Sequence, residues 1–200
     1  MKRAVPALTY HLLPLRHTLK YHETPIPGAY VIDLDPYTDE RGFFARLFCA
    51  KEFQEKGLSP NIAQVNNSRS VYAGTLRGLH YQLPPFAEDK LVRCIQGSIF
   101  DVVLDLRKDS ATFGQWRAET LTAENRKMLY IPKGCAHGFI TLEPNSEIIY
   151  FVSAPYSKEY ERGVRYNDPR FNIAWPLVPK VISERDLAHP DFIGEGVCVS

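Results

Sequence analysis

The sequence predicts an all-β protein, a sandwich or barrel of short strands, for three reasons. Short apolar runs follow one another along most of the chain, separated by turn residues. Eleven Tyr, eleven Phe and fifteen Pro favour strands and turns over helices. Helical periodicity is almost absent, and no internal repeat or linker interrupts the pattern. We therefore expect one domain over residues 28–200, preceded by an arm over residues 1–27 that is rich in Pro and His.

Each predicted strand is a short apolar or alternating run that ends at turn-forming residues. A turn is expected at residues 39–42, and Gln96-Gly97 predicts a hairpin between two strands. The predicted strands are residues 30–34, 43–48, 62–68, 74–82, 90–95, 98–106, 116–121, 127–131, 138–142 and 146–152.

Two short peripheral helices complete the predicted fold. Residues 50–56 are expected to form one, which Gly57 ends at the C′ position. A helical turn is expected within residues 181–188, with Ser183 as its N-cap.

Length and charge limit the classes of function. A chain of 200 residues can bury a sizeable core, and 44% hydrophobic with 24% charged residues is typical of a soluble protein. The formal net charge of +1 argues against a dedicated nucleic-acid binder. A few local arginines could still bind a phosphate group.

Cysteine spacing and the N-terminal segment indicate the cellular compartment. Four scattered cysteines lack C-x-x-C spacing, so we expect reduced thiols rather than a zinc knuckle or redox pair. His11 and Pro14 interrupt the apolar stretch near the N-terminus, which makes it a poor signal peptide. No run approaches the ~20 apolar residues of a membrane span. We expect a cytoplasmic protein that binds neither membrane nor nucleic acid.

Two histidines lie in patterns typical of cupin barrels. Residues 132–137 fit the pattern P-x-G-x-x-H, in which a turn precedes a strand whose His, here His137, faces the barrel interior. His80 partly fits the companion pattern, a Gly followed five residues later by H-x-H. Gly74 has the required offset, but Gln82 replaces the second His.

That replacement argues against a metal. Alternate residues of a strand face the same way, so H-x-H would direct two imidazoles at one ion. The amide of Gln82 is a poor ligand for a transition metal, and no Glu follows at the usual spacing. We therefore predict a barrel without a metal, and a reaction that needs no cofactor.

From Arg41 to Asp186 the chain resembles the dTDP-4-dehydrorhamnose 3,5-epimerase family of nucleotide-sugar enzymes. The matching segments occur in the same order and span about three quarters of the chain. They are Arg-Gly-Phe-Phe at 41–44, Gln-Val-Asn at 64–66, Arg-Gly-Leu-His-Tyr-Gln at 77–82, Phe-Asp-Val-Val-Leu-Asp-Leu-Arg at 100–107, Ile-Pro-Lys-Gly-Cys-Ala-His-Gly-Phe at 131–139, Asn-Asp-Pro at 167–169 and Trp-Pro at 175–176.

The resemblance implies a homodimeric cupin-type jelly roll that acts on a nucleoside-diphosphate 4-keto-6-deoxyhexose. In the family's pattern His80 is the general base, Asp186 its orienting partner, Tyr150 the acid, and Lys90 the residue beside the 4-keto oxygen. The resemblance also implies that Arg77, His137, Glu161 and Arg185 contact the substrate. At the position of Arg185 the family often has Lys. The resemblance places Arg41, Gln64 and Asn66 at the nucleotide.

Epimerisation next to a ketone has clear chemical requirements. A proton alpha to the ketone can be removed only if the enolate oxygen is stabilised, for which Lys90 and His137 are suitable donors. A His near neutral pKa is a suitable base, and inversion needs a second group on the opposite face. Each residue also has a structural alternative: Tyr150 could be a core residue, Lys90 a solvated lysine and Asp186 a helix cap.

Two positions need separate attention. Strict alternation puts Arg77 and His80 on opposite faces, so both can reach one substrate only if a bulge at Gly78 breaks the pattern.

Two residues after Arg-Gly-Phe-Phe the family commonly has Glu near the nucleotide, whereas this chain has Arg46. Arginine can only donate hydrogen bonds, which raises the possibility of a CDP-linked substrate or of an Arg46 that turns away to a phosphate or to Glu40.

Three other functions remain open from the sequence. One is an enzyme of the same family that inverts only C3 or only C5. Another is a metal-dependent cupin, against which Gln82 argues. The third is a non-catalytic sugar-binding module, which would have no reason to keep His80, Lys90, Tyr150 and Asp186 together.

Overall fold

The fold was described from a computed structural model, which covers residues 18–194 and 196–198. It contains fourteen strands and two short helices within those residues. In chain order they are β1 (Lys20–Glu23), β2 (Tyr30–Asp33), β3 (Tyr37–Asp39), β4 (Gly42–Phe44), α1 (Ala50–Glu55), β5 (Gln64–Ser70), β6 (Thr75–Gln82), β7 (Lys90–Gln96), β8 (Ser98–Asp105), β9 (Trp116–Thr122), β10 (Met128–Ile131), β11 (Cys135–Thr141), β12 (Ser146–Val152), β13 (Glu161–Gly163), β14 (Val181–Ile182) and α2 (Glu184–Leu187).

Two six-stranded sheets form a jelly roll, which confirms the predicted all-β cupin class. The first has the order β1-β2-β10-β7-β12-β5. The second has the order β13-β6-β11-β8-β9, and β14 pairs in parallel with β6. Successive strands alternate between the two sheets from β5 to β8 and again from β9 to β13. Apolar residues of both sheets, such as Val92, Ile99, Leu129 and Ile148, therefore meet in one buried core.

The outer face of each sheet is also covered. Phe53 of α1 is buried against Leu91 and Met128 of the first sheet. Phe171 and Val197 cover Leu104 on the second sheet. Helix α1 and the C-terminal segments thus add buried apolar contacts on the outer faces of the two sheets.

The predicted elements agree with most of the structure, and the differences have simple causes. Helix α1 ends before Gly57, which has φ +78°, as predicted, and the Ser183 side chain caps α2 by accepting a hydrogen bond from the Asp186 N–H. Strand β4 is shorter than predicted, and β3 and β13 have only three residues each, too few for a period to be visible.

Strand β1 lies within the predicted N-terminal arm. It pairs antiparallel with β2, and the flanking Leu19 and Ile26 are buried. The strand itself is mostly exposed and polar, so it has no apolar alternation from which to predict it. The remainder of the arm, residues 1–17, lies outside the described residues.

No helix of the described chain is both long and apolar enough to cross a membrane.

Candidate active site

Two adjoining cavities open between the sheets, and His80 and Tyr150 line both of them. The first has a volume of about 470 Å³ and the second about 330 Å³. Ten of the twelve predicted site residues line one or both. Those at the first are Arg77, His80, His137, Tyr150, Arg185 and Asp186, and those at the second are Gln64, Asn66, His80, Lys90, Tyr150 and Glu161.

His80 and Asp186 form a hydrogen-bonded pair between β6 and α2. The His80 Nε2 lies 2.7 Å from Asp186 Oδ1, and Asp186 is buried. The other carboxylate oxygen accepts the Gly78 N–H at 3.3 Å. Burial alone would raise the pKa of Asp186, but hydrogen bonds from His80 and Gly78 outweigh it and the pKa is lowered. The ionised carboxylate therefore keeps the proton on Nε2 and leaves Nδ1 as the free acceptor of the imidazole.

A β-bulge at Gly78 brings Arg77 and His80 to the same cavity, which confirms the predicted break in alternation. On β11 the partner of His80 is His137 and the partner of Arg77 is Phe139, so two residues of β6 face the single Gly138. Gly78 has φ +112°, and a Cβ there would lie 2.5 Å from the Gly138 Cα. Only glycine fits this position without displacing β11.

His137 has its own buried carboxylate. Its Nε2 lies 2.7 Å from Oδ1 of Asp101, which is fully buried on β8. Asp101 was not among the predicted site residues. Its signal in the sequence is a charged residue between the apolar pair Ile-Phe at 99–100 and the apolar run Val-Val-Leu at 102–104, because a buried charge needs a partner.

Lys90 is buried rather than solvated. Its ammonium group donates to the backbone carbonyl of His80 at 3.1 Å and lies 3.2 Å from Glu88. The strand thus presents the lysine to the second cavity beside the base. Glu88 lies in a loop, and nothing in the sequence distinguishes it from a solvated acid.

Gln82 forms hydrogen bonds to the loops around the second cavity. Its amide NH₂ donates to Glu88 and to the carbonyls of Phe86 and Pro155, and its oxygen accepts the Ser157 N–H at 2.6 Å. The residue that replaces the second histidine of the cupin pattern therefore has a structural role.

Tyr150 lies on β12 between the two cavities. Burial raises the pKa of its phenol, so the hydroxyl group stays protonated at neutral pH and can donate a proton.

Glu161 links β13 to α2 and to the loop after β12. It forms an ion pair with Arg185, and its Oε2 accepts the Tyr156 hydroxyl at 2.8 Å. Gln64 accepts the Tyr156 N–H at 2.6 Å. Gln64, Tyr156 and Glu161 all line the second cavity, so these contacts form part of its wall.

Arg41 and Arg46 line neither cavity of their own chain. Arg41 lies in the turn between β3 and β4, with its side chain 82% exposed, and pairs with Asp39 at 2.5 Å. Arg46 forms an ion pair with Glu52 of α1 at 2.5 Å. The predicted contacts of both residues with substrate stay predictions.

His189 also lies at the site, although it was not among the predicted residues. Its Nε2 is 4.0 Å from Asp186 Oδ1, and its ring packs edge-on against His80 with the centroids 6.0 Å apart.

Comparisons with known proteins identify the family of this chain. The family model described as dTDP-4-dehydrorhamnose 3,5-epimerase matches residues 23–193. A relative of that name from Shigella flexneri is 44% identical over 172 residues, which cover 86% of this chain and 94% of the relative.

Solved structures of epimerases also resemble this chain. The dTDP-6-deoxy-D-glucose-3,5-epimerase of Legionella pneumophila, solved with dTDP-4-keto-L-rhamnose, is 40% identical with a TM-score of 0.81, covering 86% of this chain and 92% of that one. A 3'-monoepimerase from Streptomyces bikiniensis, solved with dTDP-quinovose, is 33% identical with a TM-score of 0.79, covering 84% and 86%. The chain therefore belongs to the dTDP-4-dehydrorhamnose 3,5-epimerase family.

Proposed function

We propose that this protein epimerises C3 and C5 of a dTDP-linked 4-keto-6-deoxyhexose, giving the 4-dehydrorhamnose configuration. The observation that carries the proposal is the His80–Asp186 pair, which shares its cavities with the buried phenol of Tyr150. Family membership supports the same reaction.

In the proposed mechanism the free Nδ1 of His80 removes the proton alpha to the ketone. The imidazolium that forms is stabilised by Asp186, and Lys90 and His137 donate to the enolate oxygen as its charge develops. Tyr150 returns a proton to the opposite face of the ring. His80 then releases its proton to water and Tyr150 regains one from water, after which the cycle repeats at the second carbon. One proton leaves and one is added at each carbon, so the reaction needs no oxidant and no cofactor.

The polar residues around His80 and Tyr150 would bind the nucleoside diphosphate of the substrate. Arg77 and Arg185 supply positive charge beside the first cavity, and Gln64, Asn66 and Glu161 line the second.

We further propose a homodimer in the cytoplasm, with no membrane or nucleic-acid partner. The β3–β4 hairpin pairs with no other strand of the described chain and exposes Phe43 and Phe44. Burying these rings against a second copy would remove an apolar patch from water and bring Arg41 and Arg46 to a subunit boundary. Both arginines would then meet the nucleotide at that boundary.

A second candidate is inversion at one carbon only, which the likeness to a 3'-monoepimerase favours. Incubation with dTDP-4-keto-6-deoxyglucose in D₂O, followed by NMR, separates the two. Deuterium at C3 and C5 supports the 3,5-epimerase, and deuterium at one carbon supports the alternative. The absence of exchange at both carbons would reject epimerase activity on this substrate.

The same incubation with the CDP-linked sugar tests the nucleotide. We expect faster turnover of the dTDP sugar, and a preference for CDP would instead support the base-reading role of Arg46. The His80→Ala variant should show no exchange, and full exchange would remove His80 from the mechanism.

A further inference from the structure

His80, Asp186 and His189 bring three metal-binding atoms together beside the first cavity. One ring nitrogen of each imidazole and one carboxylate oxygen all lie within 4.8 Å of one another. The separations from Asp186 Oδ1 are 2.7 Å to His80 and 4.0 Å to His189. No other group of three such ligands occurs in the part of the chain that the structure describes.

The spacing of these atoms suits one shared ion. Both separations from Asp186 Oδ1, 2.7 Å and 4.0 Å, are no more than about twice the 2.0–2.2 Å of zinc–nitrogen and zinc–oxygen bonds. Two imidazoles and a carboxylate suit zinc and its neighbours in the first transition row. Because three protein ligands leave a fourth position for water, this geometry does not require further side chains.

His189 is available as a ligand. Its Nε2 is shielded from solvent and has no hydrogen-bond partner among the described residues. Gly163 on β13 makes the space, since a Cβ at that position would collide with the His189 ring.

The carboxylate is held in place by its own contacts. Asp186 Oδ2 accepts the Gly78 N–H, and the Ser183 hydroxyl accepts the Asp186 N–H at 3.1 Å. Such outer contacts orient a ligand and strengthen metal binding.

We propose that these three side chains form an inhibitory site for Zn²⁺ or a similar divalent transition metal. A metal on His80 Nε2 displaces the proton that Asp186 holds there, and that proton moves to Nδ1 of the same ring. The lone pair on Nδ1 is then occupied, so the base can no longer take a proton from the sugar. The inhibition rests on the proposed function, whereas the metal binding does not.

Binding is tested without substrate. Protein freed of metal by a chelator is titrated with Co²⁺, whose visible absorption reports tetrahedral coordination, and with Zn²⁺ in a calorimeter. We expect His189→Ala to weaken binding at this site by at least about tenfold. The matched control is His22→Ala, because His22 forms an exposed pair with Asp33 at 2.9 Å and has no third ligand nearby. Equal affinities of His189→Ala and the unchanged protein would overturn the proposal.

Activity gives the second readout. Zn²⁺ is expected to inhibit epimerisation by the unchanged protein and by His22→Ala, with EDTA restoring the rate. His189→Ala should need at least about tenfold more Zn²⁺ than the unchanged protein to lose the same fraction of its own metal-free activity. If His189-dependent Co²⁺ binding is found but the metal-free protein has no epimerase activity, the proposed function fails and the metal site stands. If the metal-free protein is active but Co²⁺ binding does not depend on His189, the metal site fails and the proposed function stands.

Discussion

His80 and His137 are directly opposed on β6 and β11, and each has its Nε2 2.7 Å from a buried aspartate. Asp186 reaches His80 from α2, whereas Asp101 reaches His137 from within the sheet. The two pairs hold their imidazoles at the wall of one cavity with the Nε2 side anchored. In the proposed mechanism one imidazole removes a proton and the other stabilises the charge that results.

Asp186→Asn is expected to lower kcat by about 10²–10⁴-fold, because the amide no longer fixes the proton on His80 Nε2 or stabilises the imidazolium. The rate of deuterium exchange into the sugar measures the effect. Asp33→Asn, which alters the exposed pair with His22, is the control and should leave the rate unchanged. A small effect at Asp186 would show that His80 does not need its partner.

Tyr150→Phe is expected to separate proton removal from inversion. His80 can still form the enolate, so deuterium should enter the sugar, but without the phenol the proton returns on the original face. Exchange with retained configuration, measured by NMR, is the expected outcome. Normal yields of inverted product would assign the acid to another residue.

His137→Leu is expected to destabilise the protein on the order of 3 kcal/mol, because Asp101 is left as a buried carboxylate without its partner. Urea unfolding measures the change. The double variant Asp101→Leu/His137→Leu removes the unpaired charge and should recover part of the loss. If the double variant recovers no stability, the loss in His137→Leu comes from packing and not from the unpaired charge of Asp101.

Asp105 gives a pH-dependent contribution to stability. Burial would raise its pKa, but hydrogen bonds from Arg107, Ser110 and Thr112 lower it to about 2. The folded pKa lies below the unfolded value of 3.8, so the contribution, about 2 kcal/mol, is complete above the unfolded pKa. It is lost as pH falls through the folded pKa.

Asp105→Asn should therefore unfold at lower urea concentration at pH 7, and its difference from the unchanged protein should shrink as the pH falls from about 4 to about 2. Asp39→Asn is the control, because its pair with Arg41 is exposed and screened by solvent. A difference at Asp105 that stays constant with pH would contradict the charge argument.

Gly78→Ala is expected to reduce both stability and activity, since the added Cβ would press on the Gly138 Cα and the His137 carbonyl. Gly57→Ala has a similarly left-handed backbone but open space around it, so it should show only the modest backbone cost of about 1 kcal/mol. Thermal unfolding and exchange rates compare the two. Equal losses would mean that the close approach of β11 is unimportant.

Much of the fold and site was predictable because apolar periodicity and short motifs are local signals. The strands around His80 and His137 were identified within a few residues, and the bulge at Gly78 followed from alternation. Glu88 and His189 were not identified, because both lie in irregular segments where no apolar alternation or motif distinguishes them from surface residues. Strand β1 was missed because exposed polar edge residues show no pattern.

The pairing of His80 with Asp186 joins residues separated by 106 positions. During synthesis on a ribosome, β6 through β12 emerge before β14 and α2 exist. A nascent or truncated chain that ends before β14 would hold the imidazole without its carboxylate. Proton abstraction is therefore expected to begin only after α2 has docked on β6, so a late step of biogenesis switches the enzyme on.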